Sequence, residues 1–255
     1  MNIFTIAQQT FTEARRNKIF YSVFLFALVV LLNAVIFTEV TITTVDRMIL
    51  DSGVAAINVF AIALTVFIGV GVINREVDRR SLYAIIVKPV RRWEFIVGKY
   101  LGLLAIMLST CGLMLVGLMI SLVNFKTDIT SGLFVGFLGI VLEVMILGAL
   151  ALLCSSFTNS FVSGFITAAV FISGHLSAEL KFSVMKPGTS EFQKVMGWCI
   201  YYLTPNLERF NFKLNVIYNY PVGADYLAMT VVYALLYVTA FLTAAVVVFS
   251  RRDFK

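Results

Sequence analysis

Apolar residues run along this chain in long blocks rather than in the alternating or three-to-four pattern of a soluble fold. Six blocks stand out, at about 19–37, 53–73, 95–123, 132–153, 161–180 and 226–249. Each is close to the ~20 residues that an α-helix needs to cross a bilayer core. The blocks are apolar on every face, so periodicity does not sharpen their edges. The third is the longest and is expected to tilt or to begin outside the hydrocarbon. Ahead of them, residues 1–18 mix Ile3, Ile6, Ala7 and Ala14 with Gln8, Gln9, Glu13, Arg15 and Arg16. That mixture predicts an amphipathic helix lying in the membrane interface. The block that begins at 19 is too long for a signal h-region and lacks a clear small-residue cleavage site, so no cleavable signal is expected. The predicted fold class is all-α: one polytopic transmembrane domain over 1–255, with six spanning helices and an N-terminal amphipathic elbow.

Composition agrees. Hydrophobic residues make up 60% and charged residues 13%, with a mean hydropathy of +0.94. The charged share is about half that of an average soluble domain, which excludes disorder and a soluble globular surface. Cys111, Cys154 and Cys199 show no CxxC spacing and predict no disulfide framework. The net charge of +6 is read first as topology. Thirteen of the twenty Lys and Arg fall before the first block, around the loop between blocks two and three, or after the last block. The two short loops on the other side hold only Arg47 and Lys126. The positive-inside bias therefore puts both termini in the cytoplasm, and the basic excess calls for no nucleic acid.

The loop between blocks two and three is the most informative stretch. Ser81 is a plausible N-cap, Leu82, Tyr83, Ile85 and Ile86 follow, and Pro89 ends or redirects the helix. A short apolar helix bracketed by charges has to bury its face against the bilayer interface or against a partner protein. Arg79, Arg80, Arg91 and Arg92 suit either lipid headgroups or a partner, and Trp93 suits an interface anchor. Gly98-Lys99 is not a P-loop: position 93 is Trp rather than Gly, and position 100 is Tyr rather than Ser or Thr.

The same stretch resembles ABC transporter permeases of the type-2 (ABC-2) exporter class. The likeness rests on Arg75-Glu76, then Lys88-Pro89, then Arg92 with Phe95, then Gly98-Lys99-Tyr100-Leu101-Gly102. The resemblance implies that 81–87 is a coupling helix, with Ser81, Leu82, Tyr83, Ile85, Ile86, Arg75 and Glu76 docking an ATPase and Lys88, Pro89, Arg92, Gly98 and Lys99 forming a loop motif. It implies a non-catalytic subunit of the cell membrane, paired with a second permease chain (a copy or a paralogue) and two cytoplasmic ATPase chains. ATP and Mg would then sit on those ATPases, with no cofactor bound by this chain.

Beyond the loop, Glu143 is the one acidic residue deep inside a predicted span, and His175 is the sole histidine. An intramembrane carboxylate is costly and faces the protein interior, so Glu143 is either a pathway residue or an interhelix bond. His175 is either a packed core residue or a second pathway group. Met107, Cys111 and Met114 share a helical stripe and suit core packing or, less simply, a soft-metal path. The short 154–160 stretch predicts a tight turn. Residues 181–225 carry Phe192, Val195, Met196, Trp198, Ile200, Tyr201 and Tyr202, and predict interfacial or re-entrant helices on the outer side. The run Tyr201-Tyr-x-x-Pro205-Asn-Leu-Glu208 further resembles permeases for multicopper-enzyme maturation, such as nitrous-oxide reductase assembly. The alternative to an ATP-driven permease is a proton- or ion-coupled carrier using Glu143. An intramembrane enzyme is disfavoured, because one His and scattered Ser supply no nucleophile–base or metal set.

Overall fold

The computed structural model describes residues 3–15, 25–26, 29, 45–78, 91–124, 130–185, 190–218 and 220–251. The helices are α1 (Ile3–Arg15), α2 (Val45–Asp78), α3 (Arg92–Asn124), α4 (Ser131–Phe157), α5 (Ser160–His175), α6 (Ser177–Met185), α7 (Glu191–Leu203), α8 (Lys213–Tyr218) and α9 (Ala224–Arg251), with a 3₁₀ turn at Leu207–Phe210. Among the described residues there is no strand. Among the described residues, four helical stretches are long and apolar enough to cross a membrane: Arg47–Val72, Arg92–Asn124, Ser131–Phe157 and Ala224–Arg251. The first predicted span, 19–37, lies outside the described residues apart from Leu25, Phe26 and Val29, which are helical.

α4 is the central post. It packs against α2, α3, α5 and α9. Its composition explains the position, because Gly148, Ala149 and Ala151 let neighbouring backbones approach closely. α2 runs parallel to α4, with Gly69 beside Ala151. α3 runs antiparallel to both, with Leu118 beside Gly53 and Leu103 beside Gly69. Phe26, Ile57, Met107, Cys111, Met114 and Leu118 are almost fully buried in the core that forms between these helices. The sulfur stripe of α3 is therefore packed into the core, where Thr65 Oγ1 donates to Met107 Sδ at 3.4 Å. A second core joins α3, α4 and α9 through Ile96, Ile146, Leu147, Ala234 and Val238.

The length of α3 is as expected, whereas α2 and the fifth span differ from the sequence expectation. α2 has 34 residues and α3 has 33, about 50 Å each at 1.5 Å per residue, and both extend past the hydrocarbon. The predicted fifth span is not one helix. α5 has 16 residues, about 24 Å, and ends short of a ~30 Å core. The chain then breaks at Leu176 (φ −83°, ψ 10°) and restarts as α6. The expected turn at 154–160 shortens to Thr158-Asn159, where Asn159 Oδ1 caps α5 by accepting from Val162 N at 2.9 Å.

α7 begins with a capping box in which Ser190 and Gln193 exchange side-chain and backbone bonds. It pairs with α6, Gly197 against Val184. The aromatic set Trp198, Tyr201 and Tyr202 stacks on itself with centroids 5.4–5.7 Å apart. After Leu203 the chain forms a cap, 205–218, that lies over the first turns of α4.

Candidate functional site

Two regions hold the residues that the sequence singles out. The loop end of the bundle is where α2 stops and α3 starts, with residues 79–90 between them. The cap end is where 205–218 covers α4.

At the loop end, Arg75 and Glu76 lie in the last turn of α2, and only their helical backbone is described. Ser81, Leu82, Tyr83, Ile85, Ile86, Lys88 and Pro89 lie outside the described residues. Gly98 and Lys99 are not loop residues. They belong to α3, which starts at Arg92 because Pro89 and the charged 91–94 stretch set its N-terminus, with Glu94 in the first turn. Gly98 and Gly102 form a groove in which α1 sits. A Cβ on Gly98 would lie 2.8 Å from Ile6 Cβ, and one on Gly102 would lie 2.6 Å from Thr10 Cβ and 2.8 Å from Ala7 O. The Gly-x-x-x-Gly spacing thus puts two missing side chains on one face of α3, one turn apart. Ile6 and Thr10 are the buried face of α1. Lys99 is 3% exposed, with Nζ 5.7 Å from the Phe95 ring centroid.

Arg92 reaches the far terminus of the chain. Its Nη1 donates to Phe249 O at 3.2 Å and to Ser250 O at 2.5 Å, so it caps the free carbonyls that end α9. Phe95 stacks on Phe249 at 5.5 Å. Of the four arginines left open between lipid and partner, Arg92 is thus engaged inside the chain. Arg91 and Trp93 are exposed, and Arg79 and Arg80 are outside the described residues. The start of α3 therefore anchors α1 and α9 at one place, directly after the loop.

At the cap end, Glu143 and His175 come together. Glu143 is 2% exposed. His175 Nε2 is 3.6 Å from Glu143 Oε1, an ion-pair distance rather than a hydrogen bond. Glu143 lies near the middle of α4, and His175 is the last residue of α5; the half-length of α5 is what brings the histidine to that level. The Asn58 side chain of α2 lies beside the carboxyl group, and Glu208 of the 3₁₀ turn lies within electrostatic range.

The cap seats on α4 through glycines one turn apart. A Cβ on Gly132 would lie 2.8 Å from Asn215 O, Gly136 meets Val216, and Gly139 meets Phe210 O. Gly174 of α5 meets Pro205 O and Leu207 in the same way. α9 holds the third side: Asn206 N donates to Tyr233 Oη at 2.8 Å, and the Arg209 guanidinium lies 5.0 Å from the Tyr233 ring centroid. Phe210 at Gly139 is about 12 Å down α4 from its start, so the cap reaches past the first two turns of that helix.

Sequence reading identified Glu143 and His175 separately and did not pair them. It missed Asn58, Tyr233 and the cap glycines. The Gly132/Gly136/Gly139 run was a visible signal for close packing but did not name its partner. Among the described residues, no cluster of three or more His, Cys, Asp or Glu is placed to hold a metal ion.

Long apolar helices around a small-residue post, with a cap over one end, mark a polytopic membrane protein. The chain belongs to the ABC-2 transporter family: the model of the ABC-2 family transporter protein matches residues 4–254. Members of that family are membrane subunits of ABC transporters and work with ABC ATPases. No curated protein matches the chain.

Proposed function

We propose that this chain is the permease subunit of an ATP-driven exporter, working as a dimer with two separate ATPase chains docked on residues 79–90. The observation that carries this is mechanical. Residues 79–90 join two helices of about 50 Å, and the start of the second is fixed to α1 and α9 through Gly98, Gly102, Arg92 and Phe95. A push on the loop is therefore delivered to the whole bundle rather than absorbed locally. Leu82, Tyr83, Ile85 and Ile86 form the docking face, with Ser81 as its N-cap and Arg75 and Glu76 at its base. Loop and termini face the cytoplasm, as the basic residues require. The stripe Phe161, Phe165 and Ile172, exposed on α5, supplies an apolar face for the second permease chain. The Tyr201–Glu208 stretch supports the subgroup that resembles multicopper-enzyme maturation permeases.

Leu82→Glu combined with Ile85→Glu is expected to leave membrane insertion intact and to abolish co-purification of the ATPase. Survival of the complex would sink the docking assignment. The Glu143–His175 pair favours one second reading, a proton-coupled carrier. Glu143→Gln with ATP-dependent transport retained excludes it.

A further inference from the structure

The cap covers Glu143, and something must release it if cargo is to leave on that side. The contacts that hold it differ in kind. On α4 and α5 it rests on glycines at backbone distance, and on α9 it bonds to Tyr233. Its ion pair goes to α2: Lys213 Nζ is 2.7 Å from Asp51 Oδ1, a charge contact rather than an aligned hydrogen bond. One turn nearer the start of α2, the Arg47 guanidinium lies 5.4 Å from the Tyr218 ring centroid, and Tyr218 stacks on Tyr220 at 5.8 Å. Arg47, Asp51 and Asn58 fall on one face of α2, at spacings of four and seven residues. That face meets the cap at its upper end and Glu143 halfway along. The same continuous helix ends at Asp78, where residues 79–90 begin.

We propose that Asp51 with Lys213 and Arg47 with Tyr218 form a latch, so that the helix leading into the loop is the one that holds and frees the cap. Both latch contacts are partly solvent-exposed. Exposed ion pairs are weak and depend on geometry, so a small shift of α2 along its axis breaks them while the glycine seat guides the cap back. The inference rests on the reading that an ATPase acts at 79–90, but its first test does not need the ATPase.

In that test, Asn206→Cys in a Cys199→Ser background reports on the cap through its labelling rate with a membrane-impermeant maleimide. Asp51→Lys, which places a repelling charge against Lys213, is expected to raise that rate about tenfold. Adding Lys213→Asp restores the pair with its signs exchanged and should return the rate to the parent value. An unchanged rate in Asp51→Lys, or a rate that stays high in the exchanged pair, overturns the latch. For transmission, Asp51→Cys with Lys213→Cys is bridged by a short, reducible bis-methanethiosulfonate in the reconstituted permease–ATPase complex. ATP turnover should fall at least fivefold and recover on reduction, with the ATPase still bound. Unchanged turnover in the bridged complex overturns transmission through α2. Failure of the unmodified permease to bind an ATPase counts against the proposed function, while the labelling series still decides the latch.

Discussion

The two ends of this bundle are held by opposite means. At the loop end, α1 lies in a groove made by two absent side chains, and Arg92 is bonded into the carbonyls of α9 beside a stacked Phe95–Phe249 pair. The groove and the ring pair are buried, and the Arg92 bonds lie at their exposed edge. At the cap end, the 205–218 segment rests on glycines, buries Leu207, Phe210, Phe212 and Val216, and at its rim makes an ion pair and two cation–π contacts. Under the proposed function the loop end is the part that transmits force, and under the latch proposal the cap end is the part that lets go. The mid-bundle Glu143–His175 pair sits between them, reached from the cap.

The sharpest way to break the contrast is to fill the loop-end groove. Gly102→Val should displace α1 and cost about 2–3 kcal/mol, as overpacking does, seen as a lowered thermal midpoint in detergent and faster proteolysis within 1–18. Arg92→Ala should come next. It leaves the α9 carbonyls uncapped and removes charge-assisted bonds worth about 1.5–3 kcal/mol together, lowering the midpoint without loss of ATPase binding; loss of binding with an unchanged midpoint would instead place Arg92 at the partner. At the cap end, Tyr233→Phe should cost about 1 kcal/mol and should register as faster cap labelling before any fall in the midpoint. Asp51→Asn should have the smallest effect on stability, under about 1 kcal/mol, so that a midpoint scan barely detects it. A cap-end variant that destabilises the whole protein as much as Gly102→Val would erase the distinction.

The long helices were legible in the sequence, and the contacts at either end of the bundle were less so. The blocks at 53–73, 95–123, 132–153 and 226–249 correspond to α2, α3, α4 and α9 because long apolar runs leave little choice but a helix. The block at 95–123 includes Gly98 and Gly102, while the family resemblance groups Gly98 and Lys99 with the loop motif; neither names α1 as the partner of the glycine face. The break at Leu176 was hidden because 161–180 is apolar on both sides of it, and hydropathy does not register a change of direction. Glu143 and His175 stood out as rare residues, but their meeting depends on α5 running antiparallel to α4 and stopping halfway. Asp51 and Lys213 gave no signal, being ordinary charges 162 positions apart.

The seat of α1 also bears on how the protein is made. α1 is synthesised about ninety residues before Gly98 and Gly102 exist. At roughly 5–20 residues per second, its Ile6–Thr10 face waits on the order of 5–20 s for its groove. During that interval the lipid surface is the apolar shelter at hand, and the amphipathic pattern of 3–15 suits it. One short sequence is therefore shaped for two hosts in succession: first the membrane during translation, then α3 in the finished bundle.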